Sequence, residues 1–397
     1  MAEGDGTTTL PDLVANYRDP ARFDVTSGDH LFRFHPEGAD RLAALLALIE
    51  GATQTLQLCF YMFQADHTGT VVRDALIRAA QRGVDVRLIV DAFGTDATES
   101  FFEPLQRAGG EFLLFSPRWN VRYLIRNHQK FAIADGARVM TGGFNISDQY
   151  FAAPQADGWN DLGISIEGPV AARFVEWFGE LEFWASRGSS QFLAIRRLVR
   201  DWNEGSSGVQ LLLGGPTRIT SAWARRVKVD LARGSRLDLV MAYFSPPRSV
   251  RRLIRLLAQR GCARLVLAGK SDNTTTIGAA RALYGGLLRA GVRIAEFAPC
   301  KLHTKLLVID DITYFGSANF DMRSIRLNLE LMVRVEDAAL AERMRELIGQ
   351  LERSSMPVTR EWYRAKATMI SRIRWRLSWF LVSVLDYTVA RRLNLGI

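Results

Sequence analysis

The frame His-x-Lys-x4-Asp occurs twice in this chain, as HQKFAIAD from His128 to Asp135 and as HTKLLVID from His303 to Asp310. The 397 residues include only five histidines, and two of them stand at the same place in the same octet. A repeated frame of this kind asks for a repeated fold around it. The surrounding landmarks recur in the same order. From Thr55, TLQLCFYMF predicts a buried strand and TVVRDALIRAAQRGV a helix. DVRLIVDAF predicts a second strand, FFEPLQRAGGEFLLF a helix and a strand, and the octet opens a strand pair around Asp135-Gly136. From Arg236, RLDLVMAYF, RSVRRLIRLLAQRGC, ARLVLAG and AARALYGGLLRAGVRIAEF lead in the same way to the second octet.

Strands alternating with helices of this length predict an α/β fold, and the duplication predicts two pseudo-symmetric lobes. Each lobe is expected to be a mixed, largely parallel sheet flanked by helices. The length exceeds one ordinary core, and the apolar fraction of 48% is ample for two. The polar, Gly/Ser-rich DWNEGSSGV, Asp201 to Val209, is the expected joint. The expected division is an N-terminal extension over 1–30, a first lobe over 31–205, a second over 206–355, and a C-terminal amphipathic helix over 356–397. An insert, SPRWNVRYLIRN, lengthens the approach to His128.

On a strand, residues two apart share a face, so His128 with Lys130 and His303 with Lys305 each offer an imidazole and an ammonium to one small volume. Brought together by a pseudo-twofold axis, the two pairs suit a tetrahedral phosphate. The cations hold non-bridging oxygens, while one imidazole attacks and the other protonates the departing alcohol.

With these residues in view, the chain resembles the phospholipase D superfamily, whose hallmark is the paired HxK(x4)D motif. RNHQKFAIADGARVMTGGFNISDQYF, WNDLGISIEGPV and LHTKLLVIDDITYFGSANFDMRSIRLNLE look like the bacterial cardiolipin synthase branch. Gln129 departs from the family pattern, where a basic residue is commoner. The resemblance implies a ping-pong transfer through a phosphatidyl-histidine, one histidine attacking and the other serving as acid and base. His128 is taken as the nucleophile and His303 as acid and base, although pseudosymmetry makes the two roles nearly interchangeable in the sequence. It implies condensation of two phosphatidylglycerols to cardiolipin and glycerol. Hydrolysis with water as acceptor and nuclease action on the same fold are the competing readings.

Other roles follow from position. Asn145 and Asn319 come just after Gly-rich turns and can donate to phosphate oxygens. Ser317 can assist them, where its counterpart Gly143 has no side chain. Glu330 resembles the family's orienting carboxylate and is expected to hold His303, with Asp161 the matching candidate for His128. Asp135 and Asp310 complete the motif but lie beside a turn, and are read as structural. Tyr61 and Tyr243 end the first strand of each lobe and can rim the site, as can Phe63 and Phe244. His67 is expected in a turn, and His30 and His35 lack a catalytic frame. No metal or other cofactor is required, because the lysines and histidines supply the positive charge.

Net charge is +9 with a pI near 9.7, which favours anionic partners. From Arg360 onward eight basic residues face two acidic ones. There Ile370, Ile373, Leu377, Leu381 and Val384 recur at helical spacing. Trp375 and Trp379, with Arg372, Arg374 and Arg376, predict a helix lying in a membrane interface. The stretch is too short to span a bilayer. Three scattered cysteines and a polar N-terminus without a leader pattern predict a reduced compartment. The expected partners are phosphatidylglycerol and an anionic phospholipid membrane, met peripherally at the cytoplasmic face of the cell membrane. Nucleic acid is not expected, and oligomeric state is left open.

Overall fold

A computed structural model describes residues 16–115, 126–186, 192–205, 207–217 and 220–385. Most of the insert before His128 and the chain after 385 lie outside the described residues. The first sheet is built from β1 (Phe23–Ser27), β2 (His30–His35), β3 (Thr55–Phe60), β4 (Asp85–Asp91), β5 (Glu111–Phe115), β6 (Lys130–Ala134) and β7 (Arg138–Gly142), with a short β8 (Trp159–Asn160) standing apart before β9 (Gly163–Glu167). The second lobe holds β10 (Val209–Gly214), β11 (Arg236–Met241), β12 (Cys262–Ala268) and β13 (Arg293–Phe297). A short β14 (Lys301–Leu302) then precedes β15 (Lys305–Ile309), β16 (Ile312–Gly316), β17 (Glu330–Glu336) and β18 (Ser355–Pro357).

The spatial orders are β1-β2-β9-β7-β6-β3-β4-β5 and β10-β17-β16-β15-β11-β12-β13-β18. Seven strands correspond one to one, and each lobe adds one edge strand, β1 or β18. The sheets are mixed, but "largely parallel" does not describe their pairing. Only β3-β4-β5 and β11-β12-β13 pair in parallel; every other ladder in the two sheets is antiparallel. The cause is local. Crossover helices join the parallel strands, whereas β6–β7 and β15–β16 turn back directly. Those turns need a left-handed residue, and Asp135 (φ 52°) and Asp310 (φ 46°) supply it. Strand β1 pairs with β2 although it lies inside the stretch expected to be an extension.

Alternation along β6 sends Phe131 and Ile133 to one face, and Ala132 and Ala134 to the other. The first face packs into a core shared by both lobes, in which Phe315 of lobe two meets Phe32 and Phe34 edge-on at 5.9 and 5.8 Å. The helices Val170–Ser186 and Ala338–Arg353 contribute to this central layer. The outer faces are covered separately, in lobe one by the helices Gly38–Glu50, His67–Gln81 and Glu99–Arg107. His67 therefore begins a helix, capped by Asp66, and does not sit in a turn.

The tail forms the helices Arg360–Lys366 and Met369–Phe380. It lies on the helix Thr274–Arg289, where Gly278 and Gly285 open the surface. A Cβ on Gly278 would come 2.7 Å from Ser378 Oγ, and one on Gly285 3.0 Å from Tyr363. Trp375, expected at a membrane surface, is buried here and stacks on Tyr363 at 5.7 Å. Trp379 is half-buried beside Arg251, so neither tryptophan faces outward, while Arg372, Arg374 and Arg376 are exposed. Among the described residues no helix is long and apolar enough to cross a membrane.

Candidate active site

The two octets approach the centre through segments that pair across the lobes. In lobe one, Asn127 bridges Leu329 of lobe two, and His128 N donates to Leu329 O at 2.9 Å. In lobe two, β14 pairs in parallel with β8 of lobe one, and His303 N donates to Asn160 O at 2.7 Å. The residues following those partners are Glu330 and Asp161. Each histidine is thus delivered to the carboxylate of the opposite lobe.

His128 Nδ1 meets Glu330 Oε2 at 3.1 Å, and His303 Nδ1 meets Asp161 Oδ2 at 2.7 Å. This reverses the expected assignment of Glu330 to His303 and Asp161 to His128. The expectation rested on partners within one lobe, and the crossed β8–β14 pairing overrides it. An ionised carboxylate only accepts, so the proton sits on each Nδ1 and each Nε2 keeps a lone pair for chemistry.

The lysines are buried and fold back on their own octets. Lys130 Nζ donates to His128 O, and Lys305 Nζ donates to His303 O. Lys305 Nζ also lies 2.9 Å from His303 Nδ1, whose proton is committed to the nearer Asp161. Burial lowers the basicity of all four groups. Lys130 falls to about 7, with Glu330 opposing and Lys305 reinforcing the shift. Lys305 falls to about 8, opposed by Asp161 and Glu330. Burial takes His128 to about 4, against the pull of Glu330. His303 is lowered by burial and then by Lys305. Lys305 acts on His128 and Lys130 acts on His303, so the two half-sites share one electrostatic centre. Burial raises Asp161 and Glu330, but their histidines and the lysines outweigh it and hold both below the ordinary carboxylate range.

Other expected residues have definite places. Ser317 Oγ donates to Glu330 Oε2 at 2.5 Å, so its hydroxyl is directed to the carboxylate and not to a substrate. At Gly143 a Cβ would stand 2.4 Å from Asp161 Oδ1, so this glycine is the space Asp161 occupies. Asn145 Oδ1 accepts from Met62 N, and its Nδ2 donates to Tyr150 Oη at 2.9 Å. Asn319 is buried, and its Oδ1 has no partner among the described residues. Tyr61 lies 5.0 Å from the His128 ring, with Lys130 Nζ 5.2 Å from its centroid. Tyr243 donates to Asp272 Oδ1 at 2.6 Å. Phe63 and Phe244 are buried in the lobes' own cores.

Asp135 and Asp310 lie at the far ends of β6 and β15 from the lysines. Asp135 accepts from the backbone N–H groups of Thr53, Gln54 and Thr55. Asp310 accepts from those of Ser235 and Arg236. They tie the entry of β3 and β11 to the central hairpins. Gln129 is buried, accepting from Trp177 Nε1 at 2.8 Å and donating to Glu330 O. A charge at this position would stand in the shared core.

Some residues escaped the sequence reading. Arg41 is fully buried and donates to the carbonyls of Pro36, Tyr150 and Asp161, fixing the loop that presents Asp161. Nothing in its apolar helix marks it. Tyr150 and Trp159 pack on the His303 ring at 5.1 and 5.3 Å, and their proximity to the WND segment was the available signal.

Two sheets of matching order, meeting at a doubled His/Lys centre, define a two-lobed phospholipase D-like fold. The chain belongs to the family described as "Cardiolipin synthase, PLD-like domain", which matches residues 45–182 and 228–351. It is similar to Cardiolipin synthase A of Pseudomonas entomophila (strain L48), 30% identical over 321 residues, covering 79% of this chain and 66% of that protein. It is also similar to Major cardiolipin synthase ClsA of Bacillus subtilis (strain 168), 30% identical over 326 residues, covering 78% and 66%. The chain thus spans just under two thirds of these relatives' length. The crystal structure of phosphatidylserine synthase from Haemophilus influenzae Rd KW20 shares the fold, with a TM-score of 0.72, 14% identity, and coverage of 96% of this chain and 98% of that one.

Proposed function

We propose that this chain is a phosphatidyltransferase that condenses two phosphatidylglycerols to cardiolipin and glycerol, acting peripherally at the cytoplasmic face of the cell membrane. The observation that carries the chemistry is the crossed geometry: two imidazoles with their Nδ1 protons held by carboxylates of opposite lobes, each beside a buried lysine. The relatives' names give the product, cardiolipin; phosphatidylglycerol as donor and acceptor is our reading of how that product is made.

In this reading His128 Nε2 attacks phosphorus of the first lipid. The bond from phosphorus to the glycerol oxygen breaks, and His303 gives that oxygen its Nε2 proton. The terminal hydroxyl of a second phosphatidylglycerol then passes its proton to His303 and attacks the phosphatidyl-His128. The N–P bond breaks and His128 is restored.

Charge balance supports the proton's position. Lys130 and Lys305, when charged, offset Asp161 and Glu330, so the imidazoles are neutral before substrate binds. A phosphodiester brings one negative charge into this dry site, and a proton on His303 balances it. Asp161 then stabilises the imidazolium at 2.7 Å.

The test is incubation of the full chain with phosphatidylglycerol, following cardiolipin, phosphatidic acid and free glycerol. Cardiolipin and glycerol in equal amounts are expected. Phosphatidic acid as the sole lipid product would make the chain a hydrolase, and nucleotide phosphodiester cleavage without lipid turnover would make it a nuclease.

A further inference from the structure

Two surfaces away from the catalytic centre lie side by side on lobe two. The first is a groove of about 370 Å³ on the helix Arg248–Arg260, lined by Arg248, Arg251, Arg252 and Arg255 together with Leu283 and Leu287 of the neighbouring helix. The arginines stand at positions i, i+3, i+4 and i+7, so they share one helical face. Among the described residues none of the four has a carboxylate within ion-pair distance, and Arg251 Nε is buried without a hydrogen-bond partner. Burial and the like charges of Arg248 and Arg255 depress the basicity of Arg251, as happens to a cation cluster lacking its anion.

The second surface is the outward face of the tail helix. Its inward side holds Trp375, Ser378 and Trp379, while Ile370 is 80% exposed, Ile373 57% and Leu377 56%, with Met369 and Leu381 continuing the strip. Aliphatics outside and tryptophans inside form a helix that has used one apolar face on its own protein and keeps a second. The exposed Arg372, Arg374 and Arg376 flank this strip. The surfaces adjoin, because the Arg251 guanidinium lies 5.7 Å from the Trp379 ring.

Their position connects them to the site. Ser378 packs at Gly278, four residues into the helix that starts at Thr274, or about 6 Å along its axis. Asp272, just before that helix, binds Tyr243 Oη and acts on Lys305.

We propose that the arginine groove and the aliphatic strip together form a docking surface for an anionic phospholipid bilayer, the groove taking a lipid phosphate and the strip entering the acyl boundary. Charge complementarity selects this occupant. A partly apolar helix rich in arginine, next to arginines without counter-ions, matches a surface that offers both phosphates and hydrocarbon. The proposal rests on the reading that the protein acts on membrane lipid, and it names the face that meets the membrane.

The test is co-sedimentation of the full chain with phosphatidylcholine vesicles, with and without phosphatidylglycerol. R252E/R255E should weaken binding to the anionic vesicles by at least about tenfold and leave phosphatidylcholine binding unchanged. I370D/I373D should weaken binding to both. Turnover of phosphatidylglycerol in detergent micelles should stay within about twofold of wild type for both variants, which separates docking from folding and chemistry. Wild-type binding by both variants would overturn the proposal. So would inorganic phosphate binding that R252E/R255E loses while its vesicle binding persists, since the groove would then belong to a soluble phosphate. If the wild type binds anionic vesicles through these residues yet turns over no lipid in micelles, docking stands and the transferase reading falls.

Discussion

The two half-sites occupy equivalent places in their lobes yet are built differently. In one, His303 leans on Asp161 at 2.7 Å, and among the described residues the only other hydrogen bond to that carboxylate is from Leu162 N. In the other, His128 leans on Glu330 at 3.1 Å, and Glu330 also accepts from Ser317 Oγ and Asn328 Nδ2. The β7–β9 and β16–β17 registers make Gly143 the counterpart of Ser317, and Asp161 the counterpart of Glu330. The shorter carboxylate goes with the glycine, and the longer one with the hydroxyl. A carboxylate concentrated on one imidazole is placed to stabilise its cation, while one shared among three donors has less to give. In the proposed transfer this assigns proton movement to His303 and attack to His128, although burial brings both rings to about 4 before substrate binds.

Removing either imidazole is the most severe way to break this comparison. His128→Ala and His303→Ala should each lower turnover by about 10⁴-fold or more. They should differ in what accumulates. With phosphorus-labelled phosphatidylglycerol, His303→Ala should retain acid-labile label on the protein, because loss of the proton carrier stalls release, and His128→Ala should retain none. Label on His128→Ala alone would exchange the two roles.

The carboxylates come next. Asp161→Asn should cost about 10³-fold in kcat, by analogy with loss of an orienting carboxylate that leaves the wrong tautomer. Glu330→Gln should cost about tenfold less, because Ser317 and Asn328 still define the place of the side chain. Gly143→Ser should resemble Asp161→Asn, since its Cβ would need space 2.4 Å from Asp161 Oδ1. A Gly143→Ser enzyme of normal activity would show that Asp161 does not need its observed position. The assay is steady-state cardiolipin formation for all three variants, with circular dichroism to establish folding.

His128 and His303 fall just before β6 and β15, so strand alternation does not set where their rings go. The repeat and the mixed sheets were legible because they rest on short-range periodicity. The carboxylate pairing was not, because it depends on β8 and β14, two residues each and 142 positions apart at the Asp161–His303 contact. Segments that short carry no periodic signal, and nothing local says which lobe they join. Trp375 was misplaced for a related reason. Helical spacing shows that a tail has faces, but which one is covered was decided by Gly278 and Gly285 on a helix far away in sequence. Arg41 left no trace, since its partners are backbone carbonyls.

The lysines predict a pH profile in which both half-sites take part. Burial lowers Lys130 to about 7 and Lys305 to about 8, so both lose charge as pH rises through that range. The phosphodiester then loses its cations one after the other, and kcat/KM should begin to fall as pH passes about 7 and fall more steeply above about 8. Saturating substrate holds the protons on, so kcat should fall later. On the acid side His128 stays neutral down to about 4, which places the loss of the attacking lone pair there. A kcat/KM that stays level to pH 10 would remove the lysines from phosphate binding.

The smallest expected effect is also the most direct test of the asymmetry. Ser317→Gly gives lobe two the glycine that lobe one has, without crowding anything. It removes the hydrogen bond to a buried ionised carboxylate and the acceptor of Leu331 N, which should cost at least about 1.5–3 kcal/mol of stability in urea denaturation. Glu330 would then be shared only between His128 and Asn328, and His128 should become more basic. The acid limb of kcat/KM should move up from about 4, with kcat reduced less than about tenfold. An unmoved acid limb would mean that Ser317 does not temper the Glu330–His128 pair, and the two half-sites would differ in shape without differing in chemistry.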